Sequence, residues 1–179
     1  MRRTSRGNCA VSDTLVVNAS PLIFLGNAGH LDLLRTSASR IVVPKAVFDE
    51  VTVTRHSDSA VAALVESDWI EHFAPIEVPA SITEWDLGAG ESAVIAVALK
   101  ITGSRPVIDD LAGRRCALSV GLNVMGTLGV VIAAYRRGEI EDPGQVLRDL
   151  RARGMWLSDA VIEGALRMAS KTRNDKIGD

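Results

Sequence analysis

Aromatic residues make up only 4% of this 179-residue chain, while hydrophobic residues make up 47%. The core must therefore be aliphatic, a bias that suits strands buried on both faces with helices packed against them. Cysteine is almost absent. Cys9 lies in a polar leader and Cys116 in a helical pattern, which excludes a disulfide framework and makes a reducing cytoplasm the expected location. The three histidines, His30, His56 and His72, are isolated and lack zinc-ligand spacing. The longest apolar stretch, around Val124 to Tyr135, is interrupted by Gly126-Thr127 and is too short to span a bilayer. Lys and Arg number 20 against 22 Asp and Glu, for a net charge of -2. No general basic field exists to hold nucleic acid non-specifically, although paired arginines leave room for a local basic groove.

One domain of ordinary size is expected from this length. Residues 1–13, MRRTSRGNCAVSD, carry no apolar segment of the kind a secretory signal needs and are expected to form a flexible arm. Strands are predicted at Leu15–Val17, Arg40–Val43, Arg105–Ile108 and Asn123–Met125. Helices are predicted from Ser20-Pro21, from Pro44, across residues 57–67 and across 88–102. Further helices are expected after Asp109-Asp110, after Gly126-Thr127, from Asp142-Pro143 to Arg153, and from Ser158 to about Ser170. The segment WIEHFAPIEVP reads as extended and irregular, its two prolines arguing against a central strand. Residues 171–179 are expected to fray. The alternation points to an α/β domain over 14–138, with a parallel sheet, right-handed crossovers and a helical appendage over 139–170.

Four polar residues fall where an apolar run gives way to a helix: Asn18, Glu50, Glu91 and Asp109. In an alternating strand–helix chain such positions converge at one edge of the sheet. Three are carboxylates, which would repel one another unless a cation sat among them. Mg²⁺ or Mn²⁺ takes such hard oxygen ligands and activates water for phosphodiester hydrolysis. Each residue also has a structural explanation. Glu91 complements a helix dipole, Asp109 and Asp110 are ordinary N-caps, Glu50 fits a solvated helix flank, and Asn18 suits a turn. Only their joint placement is informative. Thr127, at a helix start, is a candidate phosphate contact or a plain cap. Arg114 and Arg115, one turn after the aspartates, are candidate RNA-backbone contacts or plain surface charges.

In order along the chain, VVNASPLIFLGNAGHLDLL, RIVVPKAVFDEV, LGAGESAVIAVAL, VIDDLAGRRCALSVGLNVMGTLGVVIAAYRRG and LRDLRARGMWLSDAVIEGAL resemble the PIN-domain family. This is the nuclease fold of the VapC-type toxins, and the likeness is greatest to a subgroup described as nucleic-acid-binding PIN proteins. The resemblance covers about residues 14 to 167. It implies a three-layer α/β/α fold with a parallel sheet of about five strands, and an Mg²⁺- or Mn²⁺-dependent ribonuclease preferring single strands. The family's four acidic positions fall on Asn18, Glu50, Glu91 and Asp109, with Asp110 as neighbour or substitute. Most members carry Asp at the first position, so Asn18 is a departure, though not an unusual one in this subgroup. Such proteins are commonly toxins neutralised by a small cognate antitoxin, and they often form homodimers.

Two functions of different class follow as expectations. One is a metal-dependent endoribonuclease of a type II toxin–antitoxin pair. In it Glu50, Glu91, Asp109 and Asp110 hold metal, Asn18 positions metal or water, and Thr127, Arg114 and Arg115 meet the RNA. The alternative is a non-catalytic PIN domain that binds RNA or a protein. A receiver-like phosphoacceptor is disfavoured, because Lys45 and Lys100 are poorly placed for that chemistry.

Overall fold

In the computed structural model, residues 14–53 and 58–177 are described. Four strands, β1 (Thr14–Val17), β2 (Arg40–Pro44), β3 (Ile70–Phe73) and β4 (Arg105–Val107), form one parallel sheet in the order β3-β2-β1-β4. Every residue of β1 is buried, as a strand covered on both faces requires. The helices are α1 (Ala19–Asn27), α2 (Lys45–Val53), α3 (Asp58–Glu66), α4 (Ala80–Thr83), α5 (Ala89–Lys100), α6 (Leu111–Ser119), α7 (Thr127–Arg137), α8 (Pro143–Ala152) and α9 (Asp159–Ile177). A 3₁₀ turn, Leu31–Leu34, follows α1. The core is aliphatic, with Leu15, Leu22, Leu25, Ile41, Val94, Ile95, Ile108 and Leu147 almost fully buried. No described helix is long and apolar enough to cross a membrane.

The α/β class and parallel sheet hold, with corrections in detail. Among the described residues the sheet has four strands, where about five were expected. Asn123–Met125 contributes only a bridge from Met125 to Val107, flanked by hydrogen bonds from Met125 N to Pro106 O and from Ile108 N to Met125 O. The first helix starts at Ala19 with Asn18 as its N-cap, two residues before the expected cap at Ser20. Pro21 then occupies the first turn, where a missing N–H costs no intrahelical bond. Pro44 is the last residue of β2, paired with Phe73, and does not open α2. Part of the irregular segment forms β3, an edge strand that ends before Pro75. The last helix runs to Ile177, beyond the expected end at about Ser170, since ALRMASKTRNDKI contains neither Gly nor Pro to stop it. The arm expected at 1–13 lies outside the described residues.

The order along the sheet reverses at β1. From β1 the chain moves to β2 and β3 on one side, then returns to place β4 on the other. In parallel sheets the crevice beyond the carboxyl ends at such a reversal is where ligands bind. Asn18 follows β1 there and Asp109 follows β4. The Asn18 N–H, bonded to Val107 O at 3.1 Å, ties the two strand ends together.

Candidate active site

Asn18 is 98% shielded from solvent, yet its side chain caps nothing. Its amide nitrogen donates to Glu91 Oε1 at 3.3 Å, while Oδ1 is buried with no hydrogen-bond partner. Rotating the amide by 180° would set two oxygens against each other, so the bond to Glu91 fixes which end is which. A buried carbonyl oxygen without a donor loses free energy unless something supplies positive charge. The orphaned atom is thus an oxygen aimed at a place where a cation would be favourable.

Gly90 brings Glu50 to the same place. A Cβ at position 90 would lie 2.5 Å from Glu50 Oε2, 3.4 Å from Asn18 Oδ1 and 3.5 Å from Val47 Cγ2. The missing side chain lets the start of α5 come close to the flank of α2. Gly88, the N-cap of α5, makes similar room for Glu91 Oε2. Gly88 and Gly90 immediately precede Glu91 in the sequence, and sequence reasoning gave them no role in the site. Their spacing around Glu91 was the available signal. Glu91 is half-buried in the first turn of α5, and Glu50 is exposed on α2.

Asp109 is held from below. Thr127 donates to it twice, from its backbone N–H to Oδ1 at 2.8 Å and from its hydroxyl to Oδ2 at 2.6 Å. Thr127 itself is completely buried. The helix start read from the sequence as a candidate phosphate contact or a plain cap receives the Asp109 carboxylate instead, and the buried Thr127 has no surface to offer a substrate. Gly126 permits this approach, since a Cβ there would lie 3.0 Å from Asp109 Oδ1 and 2.9 Å from an Arg114 terminal nitrogen. A carboxylate has about four lone-pair directions, so two bonds from Thr127 leave capacity on the open side.

Asp110 caps α6, accepting the Gly113 N–H at 2.8 Å. It also neighbours Glu91: a Cβ at Gly113 would stand 3.4 Å from Glu91 Cγ and 3.8 Å from Asp110 Oδ2. Arg114 is half-buried, and its guanidinium donates to Ile108 O at 3.0 Å. Arg115 is exposed and absent from the lining of the adjoining cavity. Among the described residues no Lys or Arg forms an ion pair with Glu91, Asp109 or Asp110.

Among the described residues no three His, Cys, Asp or Glu side chains are grouped to hold a metal ion. What meets at Gly90 is the Glu50 carboxylate and the Asn18 amide oxygen, with Glu91 held by the Asn18 amide nitrogen and Asp109 and Asp110 further along the crevice. That donor set is all oxygen, one member is orphaned, and the glycine leaves a cradle that a Cβ would fill. These features fit a hard divalent cation and do not fit zinc, which prefers nitrogen and sulfur. His30 pairs with Asp149 and His72 packs edge-on against Phe48. Cys116 is buried, and burial pushes its thiol pKa up, so it is an inert core residue.

A family model described as a PIN domain matches residues 14–171. Comparison with curated proteins and with solved structures returns no match.

Proposed function

The chain belongs to the PIN-domain family, a family of metal-dependent nucleases, and from that premise we propose that it is an Mg²⁺- or Mn²⁺-dependent endoribonuclease. The observation that carries this reading is the buried, unpartnered Asn18 Oδ1 facing Glu50 across Gly90 and hydrogen-bonded through its own amide to Glu91. Asn18, Glu50 and Glu91 would hold the cation, with Asp109 and Asp110 completing the acidic crevice. A bound divalent ion there supplies an activated water and charge stabilisation for phosphodiester hydrolysis.

The protein's own residues do the rest. Asn18 offers an oxygen while its nitrogen orients Glu91. Thr127 fixes the rotamer of Asp109, and Arg114 brings positive charge to the rim. The role we assign is that of a toxin in a type II toxin–antitoxin pair, acting in the cytoplasm as a homodimer and checked by a small cognate antitoxin. These context assignments rest on the family likeness alone.

The test compares wild type, Glu91→Gln and Asp109→Asn for Mn²⁺ binding by calorimetry and for cutting of a labelled RNA. Both properties should fall together in both variants. Wild-type cutting by Asp109→Asn would contradict the assignment. A second reading is favoured by Asn18 itself: an amide supplies no net charge, which suits a PIN domain that binds RNA or protein without cutting. In that case the wild type binds RNA but is inert, and Asn18→Asp gains cleavage.

A further inference from the structure

A cavity of about 780 Å³ runs along the edge strand β4, from Arg105 at its start to Asp109 and Asp110 just past its end. Its volume suits one nucleotide-sized ligand. Phe24 and Trp156 line its other parts, with Arg114 beside the aspartates. Trp156 is 87% exposed, an unusual state for the largest apolar side chain in a protein poor in aromatics.

The backbone explains how it is held there. The chain leaves α8 through Gly154 at φ +98°, and the Met155 N–H bonds back to Leu150 O at 3.0 Å. In the following residues, which belong to no helix or strand, Met155 and Leu157 are both buried and Trp156 between them faces out. Two buried neighbours thus pin a ring in solvent at the cavity wall. The Arg105 guanidinium makes no hydrogen bond or ion pair among the described residues, and Arg114 spends one donor on Ile108 O.

We infer that this cavity is a nucleotide subsite, in which an unpaired base stacks on Trp156 while Arg105 and Arg114 meet the flanking phosphates, so that the substrate is recognised as a single strand. The inference rests on the ribonuclease reading; the preference for single strands comes with the family likeness, and what is added is Trp156 and Arg105 as the residues that would enforce it. A base inside an A-form duplex has both faces covered by its neighbours and cannot lie on a tryptophan, whereas a splayed base can. Stacking tolerates every base, so this subsite selects strandedness rather than sequence. The two arginines also offset the repulsion that Asp109 and Asp110 exert on a nearby phosphate.

The test measures binding of a fluorescein-labelled eight-nucleotide RNA, single-stranded or annealed to its complement, by anisotropy in EDTA. Truncating an exposed ring should leave the fold intact, and thermal melts verify that. Trp156→Ala should weaken single-strand binding by roughly 5- to 150-fold, the range of one base–aromatic stack. Trp156→Phe should keep affinity within about threefold of wild type, and Trp156→Ala should leave duplex binding unchanged. Arg105→Ala should weaken binding and flatten its salt dependence. Equal single-strand affinity of wild type and Trp156→Ala would overturn the subsite. So would unaltered RNA binding together with loss of a dimer in sedimentation, since a second copy would then cover Trp156. Cutting by the Mn²⁺-loaded wild type, assayed on the same preparation, separates the two ideas. Cutting with no Trp156 effect removes the subsite and keeps the nuclease. A Trp156 effect without cutting removes the nuclease and keeps a single-strand binder.

Discussion

Thr127 lies entirely beneath Asp109 and gives it both of its donors, the backbone N–H and the hydroxyl. The pair joins the end of β4 to the start of α7 and sets the carboxylate against a helix N-terminus, where negative charge is favoured. Thr127→Val keeps the shape and the N–H but removes the hydroxyl. Stability should fall by about 1–2 kcal/mol, the scale of a hydrogen bond to a charged group, and Mn²⁺ affinity should fall with it. Thr127→Ser should restore both, as read by thermal melts and calorimetry.

Gly90→Ala separates the site from stability. Alanine is the better helix former by about 1 kcal/mol, and its Cβ meets chiefly the flexible end of Glu50. Melting temperature should hold or rise, while Mn²⁺ binding weakens on the order of tenfold as Glu50 is displaced. Unchanged metal binding in a folded Gly90→Ala protein would remove Glu50 from the site.

Asn18→Asp replaces the nitrogen that donates to Glu91 with a second carboxylate oxygen at hydrogen-bonding distance. Without metal the like charges repel, so the variant should melt several degrees lower than wild type in EDTA. Added Mn²⁺ should bind it more tightly and recover the loss, because binding to the folded state alone stabilises it. A variant that melts like wild type in EDTA would contradict the placement of Asn18 beside Glu91.

Away from the site, hydrogen bonds from His30 and then Gln145 hold the Asp149 carboxyl below its ordinary 3.8. A lowered pKa means that the folded protein binds the proton less readily than the unfolded chain. The stabilisation is therefore complete above the ordinary carboxylate value and is lost as pH falls through the lowered one. Asp149 is more than a third exposed, so the effect should be about 0.5 kcal/mol at most. The melting difference between wild type and Asp149→Asn should be present at pH 7 and gone at strongly acidic pH.

Much of this architecture was legible in the sequence because its signals are local. Asp110 and Asp142 cap the helices that follow them, as an acceptor before an apolar run predicts. Val47 and Val51 face the core as their spacing requires. What escaped depends on tertiary contacts. The sequence could not decide whether Thr127 would face a phosphate or an aspartate eighteen residues earlier, because either satisfies a helix start. Ser20-Pro21 imitates a cap and first position, yet the tie between Asn18 N–H and Val107 O shifts the start of the helix to Ala19. Asn123–Met125 has the composition of a strand, but it meets β4 for one bridge only. The outward turn of Trp156 follows from an apolar triplet whose outer two members find the core.

The most direct measurement is cleavage of a labelled single-stranded RNA by the purified wild-type protein, first in EDTA and then with Mn²⁺ restored. The strand should stay intact in EDTA and be cut internally once Mn²⁺ is present. An intact strand in both, from protein that binds the RNA and melts cooperatively, would contradict the nuclease assignment and leave a PIN domain that holds single strands without cutting them.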